Sequence, residues 1–238
     1  MRTIMFLNAK GGCGKSTLAT NLASYYAKLG NTVVLADFDP QGSSLGWLAA
    51  RSPDAPTIQG LPAWREGLRH LPRSADYAIL DVPAGARGAE LTALVRRAQS
   101  IVIPVLPSPT DIRAAARFIH HLLLVGRVER KETKLAVVAN RVRENTAMQK
   151  AAEGMLGGFN SGYATVNTQN YQRLEKFLSR LKIPFITTTL RENPYYLAAD
   201  ARGLGIFDLK PSHVARDLEQ WKPLIHWLES RRSLPDPD

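Results

Sequence analysis

The sequence predicts an α/β domain: a mostly parallel sheet flanked by helices on both faces. Three observations carry this expectation. Short apolar runs rich in β-formers alternate with longer segments whose apolar residues recur at helical spacing. Such alternation implies buried parallel strands covered by helices on each side. The first strand pattern also passes through a glycine-rich turn directly into the first helical pattern.

The elements follow in chain order. Thr3–Leu7 is a short apolar strand run, and Ser16–Leu29 has helical spacing, with Gly30 placed as a helix C-terminal glycine. Thr32–Ala36 is the next strand. Tyr77–Leu80 and Ile101–Leu106 are further strand runs that end at Asp81-Val82-Pro83 and at Pro107, with Ala89–Ala98 as a helix between them. Ala114–Val125 reads as a helix, and Lys134–Ala139 as a strand leading into Asn140-Arg141. Ala147–Leu156, Tyr171–Leu181 and Val214–Leu228 have helical spacing, and Phe185–Thr188 is a strand run. Pro223 is expected to kink the last helix or to begin a second one. The loosest stretches are Arg51–Thr57, Gly157–Thr168 and Leu234–Asp238. The expected organisation is one domain over residues 1–233 with a short tail at 234–238.

With 45% apolar and 22% charged residues the composition is globular, and 238 residues suffice for a large single core. A single cysteine excludes an internal disulfide framework and a multi-cysteine cluster within the chain. No apolar run reaches the roughly eighteen residues that span a bilayer. The N-terminus enters a strand pattern without a small-residue cleavage site, so a reducing, cytoplasmic location is expected. A net charge of +10 favours an acidic partner such as nucleic acid or an anionic membrane.

The most informative segment is Lys10-Gly11-Gly12-Cys13-Gly14-Lys15-Ser16-Thr17, set between the first strand and the first helix. Gly11, Gly12 and Gly14 let the backbone curl so that successive N–H groups point at phosphate oxygens. The helix beginning near Lys15 adds positive potential at the same place. Lys15 can then reach the β- and γ-phosphates, and the Ser16 hydroxyl can ligate Mg²⁺. Strand, glycine loop and helix stand in the order that a P-loop for ATP requires. Carboxylates arrive at strand ends, where open parallel sheets line their ligand crevice. Asp37 and Asp39 share one side of an extended Asp37-Phe38-Asp39-Pro40-Gln41-Gly42 segment, and Asp81 ends a later strand.

The early lysine sets this loop apart. Ala9-Lys10 stands where the common motif has its first glycine, and the resulting form resembles the deviant Walker motif of the ParA/MinD family of P-loop ATPases. The resemblance implies that Lys10 reaches across a homodimer interface to the other subunit's ATP. It implies that Asp39 orients the attacking water, that Asp37 supports the site as a member of the Mg²⁺ shell with Ser16, and that Asp81 is the Walker B aspartate of that shell. It also extends to Ile103-Pro104-Val105-Leu106-Pro107-Ser108-Pro109-Thr110-Asp111, to Val138-Ala139-Asn140-Arg141 on the adenine side, and to the late segments at Ile183–Arg191, Ala198-Ala199 and Gly203-Leu204-Gly205. Val82-Pro83-Ala84-Gly85 departs from the two prolines usual in partition proteins and resembles relatives that position protein cargo, including carboxysomes.

For the output three classes compete, and the first is the one expected. One is a positioning ATPase whose ATP dimer binds DNA non-specifically across the nucleoid and is stimulated by a cargo-adaptor protein. Arg173, Lys176 and Arg180 share one face of the Tyr171–Leu181 helix, opposite an apolar stripe. Arg191 matches a position where ParA relatives carry a DNA-contacting arginine, and Arg202, Arg216 and Lys222 lie in the same C-terminal region. The second class is a MinD-like membrane switch, which needs an amphipathic C-terminal anchor. Val214, Leu218, Trp221, Ile225 and Leu228 form a stripe at helical spacing, but the ending Leu234-Pro235-Asp236-Pro237-Asp238 does not extend it, and core packing is its expected use. The third is a metabolic P-loop ligase.

Overall fold

Residues 1–67, 71–72, 74–125, 133–142, 176, 178–180 and 185–235 are described by a computed structural model. Seven strands form one sheet: β1 (Arg2–Phe6), β2 (Val33–Asp37), β3 (Gln59–Leu61), β4 (Tyr77–Asp81), β5 (Ser100–Val105), β6 (Lys134–Val142) and β7 (Phe185–Arg191). Their order is β3-β2-β4-β1-β5-β6-β7, and every neighbouring pair is parallel. The helices are α1 (Lys15–Lys28), α2 (Ser43–Ala49), α3 (Ala63–Glu66), α4 (Gly88–Val95), α5 (Pro109–Val125), α6 (Pro194–Asp200) and α7 (Pro211–Glu229).

The two-residue period of β1 divides the core. Ile4 and Phe6 pack with Leu18, Leu22 and Tyr26 of α1 and with Trp221, Leu224 and Leu228 of α7. Met5 and Leu7 lie in the opposite cluster with Leu91 and Leu94 of α4 and Ile119 and Leu122 of α5. Both faces are therefore covered, which is why the strands are apolar on both sides. The stripe on α7 serves this core: Val214, Trp221, Ile225 and Leu228 are all buried.

The topology places the site. From β1 the chain runs to one side for β2–β4 and to the other for β5–β7, so the C-terminal end of β1 lies at the switch point where open α/β sheets hold ligands. Register brings the acidic strand ends level, with Asp81 beside both Phe6 and Asp37.

Three expectations need correction. Pro223 does not mark the break in the last helix; the non-helical dihedrals fall at Val214 (φ −128°, ψ 16°), one turn in from the start. The Arg51–Thr57 stretch is anchored at its first residue. The Arg51 guanidinium is buried against Asp208 at 3.0 Å and donates to the Gly203 carbonyl at 2.9 Å. A Cβ on Gly203 would stand 2.2 Å from the Arg51 backbone nitrogen, so this crossing requires glycine. The strand expected to end at Ala139 runs on through Asn140 and Arg141 to Val142, with register shifts against β7. Ala147–Leu156, Gly157–Thr168 and the last three residues of the tail lie outside the described residues.

A phosphate loop between two lysines

The loop is held at both ends by asparagines. Asn8, buried just after β1, donates from Nδ2 to the Pro104 carbonyl on β5 at 2.7 Å and accepts the Lys10 N–H at 3.2 Å. Asn140 donates from Nδ2 to the Cys13 carbonyl at 2.8 Å. Gly14 lies between these constraints with φ +93°, and a Cβ there would fall 2.2 Å from Asn140 Nδ2. Glycine is thus required at Gly14 twice over, by the left-handed backbone and by the asparagine packed on it. Gly12, with φ +73°, completes the curl.

Helix α1 starts at Lys15 with no side-chain cap and no acidic residue in its first turn. Its first N–H groups are therefore available to an anion placed in the loop. The Lys15 side chain is buried, and its ammonium lies 3.4 Å from the Lys10 carbonyl. Ser16 and Thr17 are half-buried in the first turn. The Cys13 thiol is buried 3.3 Å from the Lys10 carbonyl; burial pushes its pKa up, offset in part by the Lys15 charge. That holds it as an unreactive thiol, a packing element of the loop.

The three aspartates divide their work. Asp81 is buried and its Oδ2 meets no hydrogen-bond donor among the described residues. Burial raises its pKa to about 6; a hydrogen bond from Ser16 acts against the shift and the Asp37 charge adds to it. A buried, underpartnered carboxylate beside a serine hydroxyl is a fitting half-shell for Mg²⁺, whose remaining ligands come from phosphate and water. Among the described residues no cluster of three or more His, Cys, Asp or Glu side chains could hold a metal alone, which suits a cation delivered with a nucleotide.

Asp37 departs from its expected place in the metal shell. Its Oδ1 accepts the Asp39 N–H at 2.9 Å, and its Oδ2 accepts the N–H groups of Ser44 and Leu45 at 3.1 and 3.2 Å. It caps α2 and shapes the following loop, as a buried carboxylate at a helix start does. Asp39 is half-buried on that loop, and its Oδ1 accepts the Gln41 N–H at 3.0 Å.

Asn140 is also engaged within the loop. One N–H of the amide expected on the adenine side is used on the Cys13 carbonyl, so the side chain also positions the phosphate loop. Arg141 is exposed, with φ +53° and its guanidinium 3.3 Å from Glu192. The Lys10 side chain is engaged elsewhere: its ammonium pairs with Asp111 at 2.8 Å. Sequence reading passed over Asn8 and gave Asp111 no role; a buried asparagine two residues ahead of a loop lysine was the available signal.

The family of CobQ/CobB/MinD/ParA nucleotide binding domains matches residues 4–158, more than half of the chain. The chain belongs to this family. Within the CobQ/CobB/MinD/ParA family it is 27% identical over 212 residues to the maintenance of carboxysome distribution protein A of Halothiobacillus neapolitanus, covering 87% of each. It is 35% identical over 127 residues to the chromosome-partitioning ATPase Soj of Thermus thermophilus, which covers 49% of this chain and 51% of Soj. The solved structure of apo McdA from Cyanothece superposes with a TM-score of 0.70 at 16% identity, over 94% of this chain and 99% of that one. The expected fold and family are thereby established.

The basic residues of this ParA/MinD-type domain fall into distinct settings. Lys176 and Arg180 are helical and exposed, whereas Arg173 lies outside the described residues. Arg202 and Arg216 are exposed on the C-terminal part, and exposed Lys222 pairs with Glu219 at 2.6 Å. Arg191 is different: its guanidinium forks onto Asp217, Nε to Oδ1 at 2.8 Å and Nη2 to Oδ2 at 2.6 Å. Asp217 is fully buried, so Arg191, 23% exposed, neutralises an interior charge and is engaged within the fold.

The raised pKa of Asp81 gives a prediction with a definite sign. Its folded-state value, about 6, stands above the unfolded one. Its contribution to stability is present at low pH and is lost as pH rises through about 6, when a buried charge forms. Asp81→Asn is expected to flatten that part of the stability profile between about pH 4 and pH 6, by on the order of 3 kcal/mol. The same substitution should weaken Mg²⁺-dependent nucleotide binding above pH 6. Denaturant midpoints across pH, with and without Mg²⁺ and nucleotide, check both halves.

Proposed function

We propose that the chain is an ATP- and Mg²⁺-dependent positioning ATPase, which dimerises on ATP, binds DNA without sequence preference and releases it after partner-stimulated hydrolysis. The cargo is a plasmid, a chromosome or a protein assembly of the carboxysome kind. The observation that carries this reading is a phosphate loop bearing two lysines in different settings, one buried and one partly exposed. Lys15 is buried against the loop, where it serves the phosphates of its own subunit. Lys10 is 41% exposed at the mouth, where it is available to a second subunit.

In the reaction, water attacks the γ-phosphorus and the bond to the β,γ-bridging oxygen breaks; ADP leaves, one of the water's protons stays on the phosphate product and the other passes to solvent. Asp39 orients that water, while Lys15 and the α1 N-terminus hold the charge accumulating on the phosphate oxygens. Ser16 and Asp81 would hold the Mg²⁺, which would supply charge neutralisation on the nucleotide's phosphates. Lys10 of the neighbouring subunit adds a cation at the transferred group. Intrinsic turnover is slow because this set is complete only in the dimer.

The surplus of positive charge supports DNA as the track, since phosphate contacts without base readout suit movement over a nucleoid. Binding of random-sequence duplex is expected to require ATP, to ignore sequence and to weaken steeply with salt. Lys176→Glu with Arg180→Glu should lower affinity for all sequences alike, while nucleotide binding stays at the parent value. Surface binding at two salt concentrations measures this. A parent protein that ignores DNA with ATP and Mg²⁺ at low salt would sink the DNA track and return the output to a membrane or a small metabolite.

A further inference from the structure

The Lys10–Asp111 pair joins a movable partner to a fixed one. Asp111 lies in the first turn of α5 with its side chain 8% exposed. Ser108 fixes it in two ways: the Ser108 hydroxyl donates to Oδ2 and accepts the Asp111 N–H at 3.1 Å. Pro109 begins the helix with a restricted φ, which stiffens the turn that carries both groups. Oδ1 is buried and accepts no hydrogen bond among the described residues, while the Lys10 ammonium stands 2.8 Å away as its ion-pair partner.

Lys10 is built the other way. Its backbone is part of the phosphate loop, with its N–H on Asn8 and its carbonyl near Lys15 and Cys13. Its side chain is 41% exposed and reaches Asp111 on α5. One ammonium cannot sit on Asp111 and at a neighbouring subunit's nucleotide together. Moving it leaves a buried carboxylate without its opposite charge, which costs more than opening a pair exposed on both sides.

We propose that Asp111 is the positioning residue of Lys10: it latches the lysine within its own subunit, and opening the latch sets the threshold for forming the ATP dimer. This rests on the reading that Lys10 acts across the interface. A dimer opens two latches, so even a weak pair compounds. Because the two equilibria multiply, a threefold effect at each gives about tenfold in dimer affinity. The latch also gives a partner protein a point of control, since any group that engages Asp111 Oδ1 frees the lysine.

Asp111→Asn is the test, because it removes the charge while keeping the shape and the bond to Ser108. With a non-hydrolysable ATP analogue and Mg²⁺, analytical ultracentrifugation should show a dimer dissociation constant lowered about tenfold. Nucleotide affinity of the monomer should stay at the parent value. In a Lys10→Ala background the same substitution should change nothing, which separates a latch from a general effect on α5. Tighter dimers in both backgrounds, or an unchanged or weaker dimer from a folded Asp111→Asn protein, would overturn the proposal.

A second measurement reads the latch without any dimer. Acetylation of Lys10 by an N-hydroxysuccinimide ester, followed by mass spectrometry on the dilute monomer, should run several-fold faster in Asp111→Asn than in the parent. Equal rates would overturn the latch whether or not ATP dimerises the chain. Faster acetylation without any ATP dimer would keep the latch and refute the trans role of Lys10.

Discussion

Lys15→Ala is expected to reduce Mg²⁺–ATP affinity by on the order of 100-fold and to leave the fold intact. The Lys15 ammonium is buried at the start of α1. The loop around it offers backbone N–H groups, from Gly14 onward, and no acidic side chain in the helix's first turn to compete with phosphate. Truncating one partner of a desolvated charge pair costs about 2–5 kcal/mol, which brackets the expected loss. The fold tolerates the change because alanine is the strongest helix former, and the ammonium's one hydrogen bond in this structure is a long one to the Lys10 carbonyl. Titration with a fluorescent ATP analogue, alongside a thermal melt, separates the two effects. Parent-like affinity from a folded variant would place the phosphates elsewhere.

The sheet was legible because its strands are continuous apolar runs and its first helix follows a glycine loop with no other reading. Element positions followed from periodicity to within a few residues, as at Val33–Asp37 and Tyr77–Asp81. Four short elements, α2, β3, α3 and α6, did not. Each is too brief for a periodic signal, and α2 owes its start to Asp37, which caps it from the preceding strand. The phosphate loop was equally legible, since its residue types are tied to backbone curvature and to charge. What sequence could not supply was the partner of each polar side chain. Asp37 and Asn140 were read as facing a ligand, yet each is engaged with backbone that shapes the loop. Asp111 stood in plain view without a role, because its meaning depends on a lysine 101 residues earlier in the chain.

The same limit governs the second large effect, at Arg191. Arg191→Glu is expected to destabilise the protein by about 3–5 kcal/mol, the usual result of removing one member of a buried ion pair. Asp217 has no exposure to water, and both its oxygens depend on donors from this corner: Arg191 on each, and Asn193 Nδ2 at 2.8 Å on Oδ2. Glutamate would remove the guanidinium and set a second carboxylate beside the first. The backbone is tied there too, since the Arg191 N–H donates to Gln220 of α7 at 3.0 Å, so strain would reach the helix that carries Trp221. For a chain of this size the melting temperature should fall by roughly 10 °C or more. Arg202→Glu, at an exposed position, should stay within about 0.5 kcal/mol of the parent. Loss of DNA binding in Arg191→Glu would then report a damaged fold and not a lost phosphate contact. The pair Arg191→Met with Asp217→Leu discriminates, because replacing both charges by apolar groups of similar size should recover most of the stability. A double variant that is stable and still binds DNA would confine Arg191 to its structural role. A stable single Arg191→Glu variant that loses DNA binding at the parent's denaturation midpoint would return Arg191 to the DNA-contacting surface.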